Sequence, residues 1–182
     1  QPNNMMLFEY QKGDREWLSA IIDNFSVLKA AKYDLCILAS SVKGFGYKKD
    51  IHIWIRKEDY ENANLMILLS YIILGHPDWK KGQIKIFATF PKESLKQEEQ
   101  NLIELTSTGR LPISANNIVV LPIDENIKRV DLINQYSNDA DLTLLGFHES
   151  MVKMENGIEI FERYNKLGNI LIVNTLTSKF IK

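Results

Sequence analysis

Residues 51–56, Ile-His-Ile-Trp-Ile-Arg, alternate strictly between the two faces of a strand, with isoleucine at every odd position. The polar stretch Lys57-Glu58-Asp59 leads into a nearly unbroken apolar run from Ala63 to Leu74, a predicted helix that stops at Gly75-His76-Pro77-Asp78. After Trp79-Lys80-Lys81-Gly82 a second strand is predicted over Gln83 to Phe90. Strand, helix and strand in this order form a parallel crossover unit.

The rest of the chain repeats the theme. Upstream, Met5 to Glu9 suits a short strand, Asp14 an N-cap, and Arg15 to Leu28 a helix with Trp17, Leu18, Ile21, Ile22 and Phe25 inward. Tyr33 to Ser40 reads as a strand, and residues 41–49, with two glycines and three lysines, as a linker. Downstream, Ser94 and Gln97 form a capping-box pattern before a helix bearing Leu95, Leu102, Ile103 and Leu105, ended by Gly109 and Pro112. Strands are predicted at Asn117 to Ile123, Asp141 to Phe147 and Asn169 to Asn174. Between them lie a helix over Asn126 to Tyr136 and another marked by Met151, Met154, Ile158 and Phe161, weakened by Gly157 and ended by Gly168.

Strands such as Ile118-Val119-Val120-Leu121 and Ile170-Leu171-Ile172-Val173 are apolar on both sides, as strands covered by helices on both faces must be. The expected fold class is therefore α/β, a doubly wound, mainly parallel five-stranded sheet over residues 44–182. Right-handed crossovers allow the strand order 3-2-1-4-5. Residues 1–43 form a strand-helix-strand of their own, read as the tail of a preceding α/β half-domain. Gln1-Pro2 without a methionine reads as the interior of a longer protein or a trimmed segment.

Composition narrows the function more than it specifies it. Lysine plus arginine (22) and aspartate plus glutamate (23) nearly cancel in 182 residues, so bulk charge recruits neither nucleic acid nor an anionic membrane. The longest apolar run falls far short of the roughly 20 residues that span a bilayer, so no direct membrane insertion by this stretch is expected. The single cysteine, Cys36, excludes an internal disulfide and, among Leu35, Ile37 and Leu38, reads as a core residue.

A ligand of a doubly wound sheet binds where strand order reverses. Here that place lies above Arg56, Lys57, Gly146, Phe147 and His148, making Arg56, Lys57, Gly146 and His148 the candidate ligand-binding residues. No Gly-x-Gly-x-x-Gly or P-loop spacing accompanies them, which favours a capped helix with solvated charges. His52, His76 and His148 lie far apart with no ligand-spaced partner, so no metal is expected; His52, alternating with isoleucines, reads as a hydrogen-bonded core imidazole. No nucleophile has an evident base, hence no catalytic residue and no cofactor. The helix from Ala63 to Leu74 is apolar around its whole circumference, beyond what packing on a sheet needs. Burial beneath the first forty residues and a subunit or inter-domain interface explain this equally well; Leu65, Met66, Leu69 and Ile73 are the interface candidates.

The segment Ile51-His52-Ile53-Trp54-Ile55, the apolar helix, Trp79-Lys80 and Gln83-Ile84-Lys85-Ile86-Phe87 resembles the C-terminal cytoplasmic domain of the cation-chloride cotransporter family and its prokaryotic amino acid permease relatives. There a strand of type Ile-Asp-Val-Trp-Trp precedes an apolar helix, Trp-Lys and a strand of type Lys-Ile-Arg-Val-Phe. Arg129 to Ile133, Ser137 to Leu142 and Ile170 to Val173 are similar to later parts of that domain, and Tyr33 to Leu38 before Lys43-Gly44-Phe45 to its first half. The Asp-Gly-Gly that often follows the tryptophan strand is replaced by Arg56-Lys57-Glu58-Asp59-Tyr60, and the acidic insertion of animal members is missing; both departures point to a prokaryotic member. The resemblance implies a universal-stress-protein-like fold and a non-enzymatic regulatory role at the cytoplasmic face of the membrane. It also implies the transmembrane domain of the same transporter as partner, and a homodimer. A nucleotide- or small-ligand-binding sensor of universal-stress type is the alternative.

Overall fold

The computed structural model describes residues 5–108, 115–153 and 157–176. Seven strands form one sheet: β1 (Met5–Gln11), β2 (Asp34–Ser40), β3 (Asp50–Ile55), β4 (Gln83–Pro91), β5 (Ile118–Ile123), β6 (Leu142–Gly146) and β7 (Asn169–Asn174). Their spatial order is β1-β2-β7-β6-β3-β4-β5. Counted from the β5 edge, the first five follow the expected 3-2-1-4-5 order, all parallel. The sheet is wider than expected, because β1 and β2 join it. β2 runs antiparallel along β7, with Ile37 opposite Ile172, while β1 lies parallel to β2 at the edge.

The helices are α1 (Arg15–Asp23), α2 (Phe25–Ala30), α3 (Tyr60–Leu74), α4 (Leu95–Thr108), α5 (Arg129–Tyr136), α6 (Glu149–Val152) and α7 (Gly157–Glu162). Strand alternation sorts the core into two layers. Ile51, Ile53 and Ile55 face α3 and α4, in one cluster with Met66, Ile67 and Leu102. Trp54, Leu145 and Ile172 face the other way, clustered with Leu18, Phe25, Ile133 and Phe161 from α1, α2, α5 and α7.

Several expected boundaries shift for local reasons. The first helix divides at Asn24, whose side-chain amide donates to the Ala20 carbonyl instead of letting one helix run on. Ser94 ends a 3-10 turn, Lys92–Ser94, and its hydroxyl turns back to the Pro91 carbonyl, while Gln97 pairs with Asn101, so no capping box forms. α5 starts at Arg129 because Asp124 accepts from the amides of Asn126 and Ile127 and holds them in a turn. The helix expected around Met151 to Phe161 is two short helices, α6 and α7. Gly109, Pro112 and Met154 lie outside the described residues.

The linker before β3 is pinned by Asp141. Its carboxylate accepts from the amides of Tyr47 (2.9 Å), Lys49 (2.7 Å) and Asp50 (3.0 Å). Gly46 sits at φ +52°, and a Cβ there would lie 2.2 Å from the Asp141 carboxylate, so the turn needs glycine twice over.

Cys36 is buried on β2, and burial followed by the nearby Asp34 charge pushes its thiol up to about 12. The reactive species is the thiolate. Alkylation by iodoacetamide at pH 8 should therefore be slow in the folded protein and complete once denaturant unfolds it. Equally fast labelling in both states would refute this placement of Cys36.

Candidate functional site

β3 and β6 are the adjacent strands whose connections leave in opposite directions, and the crevice above their carboxyl ends is filled from within. After β3 the chain makes a 3-10 turn, Lys57–Asp59, that hands over to α3 and turns Asp59 inward until none of it is exposed. One Asp59 oxygen, Oδ2, meets Arg56 Nε at 3.2 Å and Arg129 Nη2 at 3.5 Å. The other, Oδ1, meets His148 Nε2 at 3.1 Å. Gly146 ends β6 directly beneath, where a Cβ would stand 2.6 Å from Oδ1 and 3.0 Å from Asn62 Nδ2. Only a residue without a side chain lets the carboxylate approach this closely.

Three of the four expected ligand residues, Arg56, Gly146 and His148, thus meet around one buried carboxylate. Lys57 does not join them; it is 72% exposed and pairs with Glu98 at 3.2 Å. Asp59 and Arg129, absent from the expected set, are the centre of the cluster. Asp59 stands in a run of charges at a helix start, where a solvated carboxylate is the usual reading. Arg129 comes from α5, seventy residues later in the chain.

The cluster is electrostatically uneven. Two guanidinium groups share one carboxylate, since Arg56 and Arg129 both bind Oδ2. Arg129 also donates to the Trp54 carbonyl at 3.4 Å. Burial is the main cause that lowers the Arg129 pKa below its usual value. Behind the cluster, Asn62 Oδ1 accepts from the Thr175 amide (2.8 Å), and Asn62 and Asn174 both donate to the Phe147 carbonyl. These bonds tie the start of α3 to the ends of β6 and β7.

His52 lies on the opposite side of β3 from the isoleucines, nearly buried beside Phe87. Ser137 Oγ is 2.8 Å from His52 Nδ1 and also 2.8 Å from Trp54 Nε1. The indole can only donate, so Ser137 Oγ accepts from it while also bonding the imidazole. Burial pulls the His52 pKa down, favouring the neutral form. His52 is a core imidazole.

Among the four interface candidates, the structure separates two pairs. Leu65 and Met66 are enclosed between α3 and the sheet, out of a partner's reach. The turn of α3 that carries them faces the isoleucines of β3. Leu69 and Ile73 instead line an apolar groove of about 290 Å³ between α3 and the outer strands, facing Met5, Leu7, Cys36 and Leu38. Leu7 on the edge strand is 60% exposed and Ile72 on α3 is 63% exposed.

Among the described residues no cluster of three or more His, Cys, Asp or Glu side chains could hold a metal, and no helix is long and apolar enough to cross a membrane. No family model matches the sequence, and no curated protein is similar to it. Solved structures are similar in fold. The cytoplasmic domain of a prokaryotic cation chloride cotransporter matches over 99% of this chain and 67% of its own, at a TM-score of 0.67 and 15% identity. A functionally unknown protein from Pseudomonas aeruginosa PAO1 matches over 91% of this chain and 62% of its own, at a TM-score of 0.51 and 16% identity. The α/β fold implied by the sequence resemblance is thus the fold this chain shares with a transporter's cytoplasmic domain.

Proposed function

We propose that this chain is a non-catalytic regulatory and assembly domain of a cation-chloride cotransporter-like membrane transporter of the amino acid permease superfamily, held at the cytoplasmic face of the membrane. The observation that carries the reading is the match in fold, over 99% of the chain, to the cytoplasmic domain of a prokaryotic cation chloride cotransporter. Its partners are the transmembrane portion of the same protein and a second copy of the domain. Regulation of this kind works by contacts that differ between transport states and so shift their populations. Residues 1–43 belong to a preceding α/β half-domain in this reading. The antiparallel junction of β2 with β7 and the apolar edge at β1 support that division.

The groove between α3 and the outer strands is the contact surface offered to the second copy. Its lining is almost wholly apolar, as the centre of a stable interface is. The nucleotide-sensor alternative is disfavoured at the switch point, because Asp59, Arg56 and His148 close on one another there and fill the space above Gly146.

Sedimentation velocity over a wide concentration range tests the assembly. Wild type should show a monomer–dimer equilibrium, and Leu69→Asp or Ile73→Asp should weaken it at least about tenfold, the effect of leaving a charge in an apolar contact. Lys96→Asp, at an exposed site on α4, should change nothing. A strict monomer at every concentration, with ion flux of the longer protein unaltered by removal of this domain, would overturn the proposal.

A further inference from the structure

A second crevice lies one strand away from the Asp59 cluster, above the carboxyl ends of β3 and β4, with a volume of about 400 Å³. Arg56, Lys57, Glu58, Thr89, Ser94, Glu98 and Arg129 supply its polar lining. Phe90, Pro91 and Ile123 supply apolar wall. Carboxyl ends of parallel strands are where α/β sheets hold ligands.

Two buried polar atoms in this lining have no hydrogen-bond partner among the described residues, Arg129 Nε and Thr89 Oγ1. Buried polar groups are nearly always paired, so orphaned ones at a cavity wall call for a partner from outside. Both can donate. A hydroxyl also accepts, but a guanidinium nitrogen only donates, so the common partner is an acceptor.

Charge points the same way. Glu98 is already matched, accepting from Tyr60 Oη at 2.9 Å and pairing with Lys57 at 3.2 Å. Glu58 is two-thirds exposed and reaches Arg56 only at 3.7 Å, where solvent screens it. Arg56 and Arg129, with side chains 28% and 15% exposed, share the single buried carboxylate of Asp59, so the two guanidinium groups carry one positive charge more than that carboxylate balances. Carboxylates and phosphates fit a guanidinium fork better than any neutral acceptor.

We propose that the β3–β4 crevice binds a small oxyanion, a carboxylate or a phosphate, with Arg129 and Thr89 as inner contacts, Ser94 and Lys57 at the rim, and the apolar wall of Phe90, Pro91 and Ile123 against the body of the ligand. The site is distinct from the dimer groove and does not depend on the transporter reading.

The test is an amide NMR titration of the labelled protein with sodium succinate and, separately, sodium phosphate, at constant ionic strength. Saturable shifts confined to residues 56–58, 89–94 and 129 are expected, and the salt that saturates identifies the head group as carboxylate or phosphate. Thr89→Val removes the unpaired hydroxyl with little change of shape, so the fold should keep or raise its melting temperature while affinity falls about tenfold, the worth of one charge-assisted hydrogen bond. Arg129→Lys, which keeps the charge and loses the fork, should weaken binding as well. No saturation with either salt, or equal affinity in Thr89→Val, would overturn the proposal.

Discussion

Asp59→Asn is expected to cost about 3–5 kcal/mol of stability, the usual consequence of removing one partner from a buried ion pair. The substitution keeps the shape of the side chain, so packing around Gly146 is preserved and charge alone is tested. Arg56 and Arg129 would then face each other across an amide, with no other buried carboxylate of the described residues paired to Arg129. In urea the midpoint should fall while the slope stays constant, because the surface exposed on unfolding does not change. A double-mutant cycle with Arg129→Gln should return a coupling of about 0.5–3 kcal/mol. A loss for Asp59→Asn below about 1 kcal/mol, the worth of an exposed pair, would show that the carboxylate does not hold the switch point closed.

Trp54→Ala is expected to cost a similar amount, about 3–5 kcal/mol, as large-to-small changes at buried aromatics do. Trp54 is wholly buried and stacks on Phe87 with ring centroids 4.7 Å apart and planes within 13°. Truncation would leave a cavity at the centre of the sheet and remove the indole donor from Ser137. Trp54→Phe should keep much of the packing and lose chiefly the hydrogen bond, about 0.5–1.5 kcal/mol. Trp17 is half exposed while Trp54 and Trp79 are buried, so either variant should also remove a blue-shifted component from the fluorescence. Unfolding midpoints of Trp54→Ala within about 1 kcal/mol of wild type would contradict the packing described for β3.

The open edge at β1 bears on the proposed assembly. The edge strand carries Met5, Met6 and Leu7 at the surface and has Glu9 as its one charge, little protection for an edge. Apolar grooves lie on both faces of β1, against α3 and against α1 and α2.

Periodicity was enough for the strands and, with the handedness of crossovers, for the order of the five parallel ones. Ile51-His52-Ile53-Trp54-Ile55 declares two faces by its alternation, and the apolar strands β5 and β7 declare burial on both sides. Once the elements were placed, the handedness of crossovers left few topologies, and Arg56, Gly146 and His148 fell together from that rule. What no local pattern carries is which distant groups close on one another. Asp59 looked solvated because its sequence neighbours are charged, and only the turn after β3 drives it under α5, where Arg129 arrives from another crossover. The division of α3 between core residues Leu65 and Met66 and groove residues Leu69 and Ile73 likewise depends on where β1 and β2 attach. Antiparallel pairing of β2 with β7 is a long-range choice, set by the match of two apolar edges that the chain brings side by side only after the crossovers are complete. Side-chain burial within an element is thus written in its own period, whereas charge pairing and edge attachment are decided by distances that exist only in the folded sheet.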